Sequence, residues 1–227
     1  MLFELRDISF GYPTRPPVLH DASMTLDAGE RLCITGANGA GKSTLLSIMV
    51  GLAQPSAGTV TAFGTPRLEE ADFHEVRRRA GLVFQDPDDQ LFCPTVLEDV
   101  AFGPLNLGAT RDEAVEIVDR TLSRLGLTAF RDRVTHKLSG GEKRLIALAT
   151  VLAMDPEVLL LDEPTNALDE ENAERLTEIL LGLPQAMVIV SHDPHFRRKL
   201  ATRILRLSQG ALSVPEPSCR NAVASGT

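Results

Sequence analysis

The chain has 227 residues, 43% of them hydrophobic and 4% aromatic, and a net charge of -8. That length buries a good core in one large domain or two small lobes. The acidic balance argues against nucleic-acid binding, which rests on neutralising phosphates, and no apolar stretch approaches the ~20 residues of a membrane-spanning helix.

Met1-Leu2-Phe3-Glu4 lacks the basic and long apolar regions of a signal peptide, so any membrane role is expected to come through a partner. Residues 2–35 read as short strands with turns at Gly11-Tyr12-Pro13 and Asp27-Ala28-Gly29-Glu30; the last strand is Arg31-Leu32-Cys33-Ile34-Thr35. A helix is expected over 42–51, with Gly51 as its stop, and strands over 59–64 and 82–85. Asp86-Pro87 is a turn signal. From there to about 129 the pattern is helical: Glu113-Ala114-Val115-Glu116-Ile117-Val118, then Leu122 and Leu125, puts apolar residues on one face. After Ser139 helix and strand alternate, with Val158-Leu159-Leu160-Leu161 and Met187-Val188-Ile189-Val190 as buried strands. Such alternation implies a mainly parallel sheet covered on both sides, interrupted by a helical subdomain at roughly 86–135. Residues 211–227 read as a polar, loose tail. The three cysteines are widely spaced, with no zinc-binding pattern; Cys33, mid-strand, reads as a small core hydrophobe. The basic runs Arg77-Arg78-Arg79 and Arg197-Arg198-Lys199 read as solvated helix faces.

Gly36-Ala37-Asn38-Gly39-Ala40-Gly41-Lys42-Ser43 fits G-x-x-x-x-G-K-[ST]. Gly36, Gly39 and Gly41 let backbone N–H groups surround phosphate oxygens, Lys42 adds a point charge for the β and γ oxygens, and the Ser43 hydroxyl suits Mg²⁺. Thr44 is placed to donate to an α-phosphate. A Gly-rich turn that binds nothing is the competing reading, countered by the apolar strand before it and the helix after. Val158-Leu159-Leu160-Leu161 delivers Asp162 to the metal side of the phosphates and Glu163 to a water for in-line attack, against the alternative of two charges capping a strand. Ser139-Gly140-Gly141-Glu142 fits a capping box, and its helix start also offers N–H groups and a positive dipole end to a γ-phosphate. His192 follows a strand neighbouring that of Glu163 and could hydrogen-bond the γ-phosphate, whereas His20, His74, His136 and His195 are read as structural. The Gln85 amide could reach Mg²⁺ or the attacking water.

In this order these residues resemble the nucleotide-binding subunit of ATP-binding-cassette (ABC) transporters over roughly residues 1–210. Residues 36–43 match Walker A, Gln85 the Q-loop, 138–142 the signature, 159–163 Walker B, Leu168-Asp169 the D-loop and His192 the switch histidine. Tyr12, the chain's only Tyr, falls where the family's adenine-stacking aromatic sits, though an ordinary turn Tyr is the bland alternative. The D-loop's Asn166-Ala167 is a mild variant. The run from Phe84-Gln85-Asp86-Pro87 to Leu107-Gly108, with Leu152-Ala153-Met154-Asp155-Pro156, resembles the energy-coupling factor importers of cobalt, nickel, biotin and other vitamins, and most nearly their cobalt/nickel branch. Many cobalt-branch ATPases carry an added C-terminal region that this chain does not show, so a biotin or shared vitamin system stays open.

The resemblance implies an α/β fold of the P-loop NTPase type: a RecA-like, mainly parallel core sheet, an N-terminal antiparallel β portion and the inserted helical subdomain. It implies ATP and Mg²⁺ as ligands, and a head-to-tail dimer with itself or a related ATPase, each ATP lying between one subunit's phosphate loop and the other's Ser139, Gly140, Gly141 and Glu142. Asp169 belongs to the same interface. Glu163, His192 and Gln85 would carry the catalysis. Transmembrane coupling and substrate-binding subunits would hold the chain at the cytoplasmic face of the inner membrane, against Leu91, Phe92, Leu97 and Phe102, some of which must be core. Soluble cassette proteins of ribosomes or DNA usually join two cassettes or insert long coiled coils, and a P-loop kinase has no use for the signature helix or His192.

Overall fold

A computed structural model describes residues 1–13 and 16–215. Two sheets form. The first is antiparallel, in the order β2 (Leu19–Leu26), β1 (Phe3–Phe10), β4 (Ala57–Ala62), β5 (Thr65–Arg67). The second runs β10 (Ala211–Ser213), β9 (Arg203–Ser208), β3 (Arg31–Thr35), β8 (Ala186–Val190), β7 (Val158–Asp162), β6 (Ala80–Val83). All its neighbours pair in parallel except β10, which turns back on β9.

The central strands are apolar on both faces, as a covered parallel sheet requires. On β7, Val158 and Leu160 face a core shared with β1, β2, β4, α1 (Lys42–Met49) and α2 (Phe73–Arg79). Leu159 and Leu161 face the opposite core, shared with α3 (Val96–Asn106), α4 (Arg111–Arg124), α5 (Gly140–Leu152), α6 (Glu170–Leu181) and α7 (Pro194–Leu200). Strand β8 splits the same way, Val188 and Val190 against Met187 and Ile189. Each such buried side chain contributes about 1.5–3 kcal/mol of transfer free energy. Cys33 is fully buried in β3, and burial pushes its thiol up to about 12, so it stays a neutral hydrophobe.

Helix starts follow their sequence signals. Thr95 with Glu98, Thr110 with Glu113 and Ser139 with Glu142 form capping boxes at α3, α4 and α5. Three boundaries differ from expectation. The strand expected over 59–64 ends at Ala62, because Phe63 (φ 54°) and Gly64 (φ 80°) form the two-residue hairpin turn into β5. The strand expected over 82–85 is Ala80–Val83; the Phe84 N–H leaves the ladder and donates to the Gln90 side-chain oxygen at 3.2 Å. The tail expected from 211 begins instead with β10, where Ala211, Leu212 and Ser213 pair with Ser208, Leu207 and Arg206. The rest of that expectation, 216–227, lies outside the described residues.

The parallel order β3-β8-β7-β6 places the phosphate-loop sequence, His192, Glu163 and Gln85 beyond the carboxyl ends of four adjacent strands. That is the end at which open α/β sheets bind ligands.

Candidate functional site

The loop after β3 closes tightly over the sheet. A Cβ on Gly36 would lie 2.4 Å from the Leu207 carbonyl oxygen, so only glycine fits there. Gly41 adopts φ 101° at the start of α1, and no side chain caps that helix. Its first N–H groups therefore keep their hydrogen-bonding capacity for an anion, which the helix dipole favours. Lys42 is only 7% exposed. Its ammonium donates to the carbonyls of Gly36 and Ala37, both at 3.0 Å, and lies 3.0 Å from His192 Nε2.

Thr44 and Tyr12 are tied to each other: their hydroxyls lie 3.0 Å apart, and the Tyr12 ring stands edge-on to Phe10 at 4.9 Å. Tyr12 is half-exposed, leaving ring surface open to solvent.

At the end of β7 two carboxylates have opposite surroundings. Asp162 is 7% exposed and its Oδ1 has no hydrogen-bond partner. Burial pushes its carboxyl above the usual range, against the opposing hydrogen bond from Ser43. An orphaned anionic oxygen beside a serine hydroxyl is the hard-oxygen donor set that Mg²⁺ takes. Glu163 adopts φ 45°, a strained conformation for a non-glycine residue, of a kind that concentrates at functional sites. Its backbone is fixed on both sides: its N–H donates to Val190 O at 2.9 Å, and its carbonyl accepts from Asn166 N–H at 3.0 Å and Arg144 Nη1 at 3.1 Å. Its carboxylate meets His192 twice, accepting from the backbone N–H at 3.2 Å and lying 3.1 Å from Nε2. One ring nitrogen cannot accept from Lys42 and donate to Glu163 at once, so the proton on His192 decides which neighbour it binds.

These groups border one cleft of about 680 Å³, lined by Asn38, Gly39, Lys42, Ser43, Gln85, Asp162, Glu163 and His192, with Thr165, Asn166, Ala167 and Asp193 completing the wall. A fixed cation, N–H groups, hydroxyls and carboxylates can there receive a polyphosphate, a metal ion and a water. The structure thus brings together Asn38, Gly39, Lys42, Ser43, Gln85, Asp162, Glu163 and His192.

Ser139, Gly141, Glu142 and Asp169 do not border that cleft. Gly140 borders an adjoining one of about 620 Å³, with Ser43, Gln85, Asp162 and Arg144. The Ser139 N–H donates to Glu142 at 2.7 Å, holding that carboxyl below its usual range, and Arg133 pairs with it at 3.1 Å. A Cβ on Gly141 would come within 2.7 Å of the Asn172 amide. Asp169 caps α6 through the Asn172 N–H at 2.8 Å, and its second oxygen accepts from the Asn172 side chain at 3.0 Å. Within one chain Asp169 is therefore a helix cap whose reach ends at Asn172.

Sequence reasoning passed over Arg144 and Thr165, and took Asn166-Ala167 only as a D-loop variant. The available signal was slight: the pair Lys143-Arg144 runs directly into the apolar stretch Leu145-Ile146-Ala147-Leu148-Ala149, where α5 is buried almost all round. Of the four apolar residues expected to face a partner, Leu91 is buried and Leu97 packs on the core. Phe92 and Phe102 are exposed, 65% and 46%, and meet edge to face at 4.8 Å. With Phe84, Leu107 and Met154 they line a groove of about 290 Å³. Among the described residues no helix is long and apolar enough to cross a membrane.

A family model described as "ABC transporter" matches residues 19–166. A Brucella suis protein provisionally named an ABC transporter ATP-binding protein is 55% identical over 195 residues, covering 86% of this chain and 81% of the relative. The energy-coupling factor transporter ATP-binding protein EcfA of Methanothermobacter thermautotrophicus is 44% identical over 219 residues, covering 93% and 69%. Among solved structures, cbiO1 of Clostridium perfringens, part of the ABC transporter complex cbiONQ, superposes with a TM-score of 0.84 at 32% identity, covering 94% of this chain and 87% of that one. The dimeric ATP-binding cassette MJ0796, bound to ADP and Pi in a post-hydrolysis state, superposes with a TM-score of 0.83 at 26% identity, covering 95% and 100%.

Proposed function

The chain belongs to the ABC transporter family as an ATP-binding, ATP-hydrolysing subunit, and on that premise we propose that it powers an energy-coupling factor importer as one half of a cassette dimer. The observation that carries this reading is the division of the site: phosphate loop, Asp162, Glu163 and His192 share one cleft, while Ser139, Gly141 and Glu142 stand off it. A head-to-tail partner, itself or a related ATPase, would bring those groups to the γ-phosphate. The dimeric state of MJ0796 supports that arrangement. Residues 1–210, extended by β10, act as one cassette, with 86–135 as its subdomain.

In this mechanism Tyr12 exchanges its bond to Thr44 for stacking on adenine, which frees the Thr44 hydroxyl for the α-phosphate. Lys42 and the loop N–H groups, with Gly36, Asn38, Gly39 and Gly41, hold the β and γ phosphates. Ser43, Asp162 and Gln85 would hold Mg²⁺, which when bound neutralises charge on the phosphates. Glu163 takes a proton from the attacking water, and His192, released from Lys42, donates to the γ-phosphate. ATP joins the halves and hydrolysis separates them. Asp169 would lie at the interface, its cap partner Asn172 standing beside Gly141 of the same chain.

The exposed Phe92–Phe102 groove takes a cytoplasmic helix of a transmembrane coupling subunit, which with a substrate-binding membrane subunit keeps the chain peripheral at the cytoplasmic face of the inner membrane. The EcfA and cbiO1 likenesses support the energy-coupling factor type. The cargo, a transition metal ion such as cobalt or nickel, rests on the 84–108 segment alone; uptake of labelled Co²⁺ or Ni²⁺ against biotin, by cells making the chain with its membrane subunits, decides between metal and vitamin. For the catalytic reading, Glu163→Gln should keep ATP affinity and lose about 10²–10⁴ in turnover, the contribution of a positioned base. Turnover within twofold of wild type would remove Glu163 from that role.

A further inference from the structure

Arg144 is a buried cation on the helix that also carries Ser139, Gly140 and Gly141. It is 6% exposed, and its guanidinium reaches out of α5 to the end of β7, where Nη1 donates to the Glu163 carbonyl at 3.1 Å. The peptide it holds is the strained one, with Glu163 at φ 45°. The same carbonyl accepts the Asn166 N–H, so Arg144 is the second donor on the turn that aims the Glu163 side chain. Burial pulls the guanidinium below its ordinary range, and the nearby charges of Asp86 and Asp162 offset only part of that. Burying Arg without a paired carboxylate is costly, and a structural filler at this position would be apolar, as Leu145 and Ile146 beside it are. About one and a half turns separate Ser139, at the start of α5, from Arg144, and a helix transmits such a displacement as a rigid body.

We propose that Arg144 is a positioning residue that links the two nucleotide sites of the dimer: α5 contacts the partner's nucleotide with its N-terminus and fixes the Glu163 peptide of its own site through Arg144. This rests on the dimer reading above. A shift of α5 as Ser139 meets the partner's γ-phosphate changes the pull on the Glu163 carbonyl and so the aim of the base. The two sites then hydrolyse cooperatively, each base being set by the other site's occupant.

The test compares Arg144→Met and Arg144→Lys in the full chain by ATP titration of steady-state hydrolysis and by equilibrium binding of a fluorescent ATP analogue. Arg144→Met is expected to bind nucleotide within about twofold of wild type, to lose at least about tenfold in kcat with KM little changed, and to lower the Hill coefficient from above 1 to 1. Arg144→Lys, which keeps the charge but not the fork, should recover part of both kcat and cooperativity. A kcat within twofold of wild type, an unchanged Hill coefficient, or a loss confined to nucleotide affinity overturns the proposal. If Arg144→Met does not fold, wild-type kcat and Hill coefficient in Arg144→Lys overturn it, and a partial loss of both supports it. Dimerisation of Glu163→Gln with Mg·ATP is measured alongside: its failure would sink the dimer reading itself, whereas dimerisation with unaltered cooperativity in the Arg144 variants sinks only this inference.

Discussion

Replacing Asp162 by Asn should stabilise the nucleotide-free protein while removing its response to Mg²⁺. The wild-type carboxylate is 7% exposed, with Oδ1 unpartnered and Ser43 as its opposing hydrogen-bond donor. Asn keeps an acceptor for Ser43 and exchanges an orphaned charge for an orphaned amide. An unsatisfied buried charge costs more than an unsatisfied neutral group, so the gain is about 1–2 kcal/mol. For a chain of this size that is about 2–8 °C in Tm. The sign with pH follows from the carboxyl being raised above its ordinary 3.8 by burial. The native state then holds the proton more tightly than the unfolded chain, so Asp162 contributes stability that is fully present below 3.8 and lost as pH rises through the raised native value. The Asp162→Asn variant lacks that slope. Differential scanning fluorimetry with EDTA, with Mg²⁺, and with Mg²⁺ plus ATP provides the readout. Wild type should gain about 2.7 kcal/mol at ligand a hundredfold above Kd, and the variant should lose the Mg²⁺-dependent part. A variant less stable than wild type without nucleotide, or one with an undiminished Mg²⁺ response, would refute the reasoning.

Two further substitutions separate the functions assigned to other surfaces. Ser139→Arg removes a cap worth about 1 kcal/mol but touches nothing in the chain's own phosphate cleft; ATP binding should persist and hydrolysis should stop, and retained turnover would count against a shared site. Phe102→Asp breaks the exposed ring pair at a cost of about 1 kcal/mol. In vesicles carrying the membrane subunits it should keep ATPase activity and lose transport, so undiminished transport would remove the groove from coupling.

Much of the site was legible because glycine spacing, strand-end carboxylates and the capping box each have a local cause. Val158 to Leu161 are apolar on both faces and could only be an interior strand, so Asp162 and Glu163 had to emerge at its end. The Ser139–Glu142 box formed as its spacing required. What could not be read depends on tertiary neighbours. The Phe84 N–H leaves the sheet because Gln90, six positions on, offers it an acceptor. Leu212 looked like the start of a loose tail, yet its partner Leu207 holds it in the sheet. Leu91 and Phe92 are adjacent and equally apolar, but one fills the helical core and the other faces solvent. Arg144 showed locally only as a cation ahead of an apolar run: its meaning comes from a carbonyl 19 positions away.

Small-angle scattering of Glu163→Gln saturated with Mg·ATP tests the shared-site account most directly. Two compact protomers enclosing their nucleotides between them give a radius of gyration of about 22 Å, falling to about 17 Å when nucleotide is withdrawn. A value near 17 Å with ATP fully bound would show one molecule enclosing its own triphosphate, and would contradict the account.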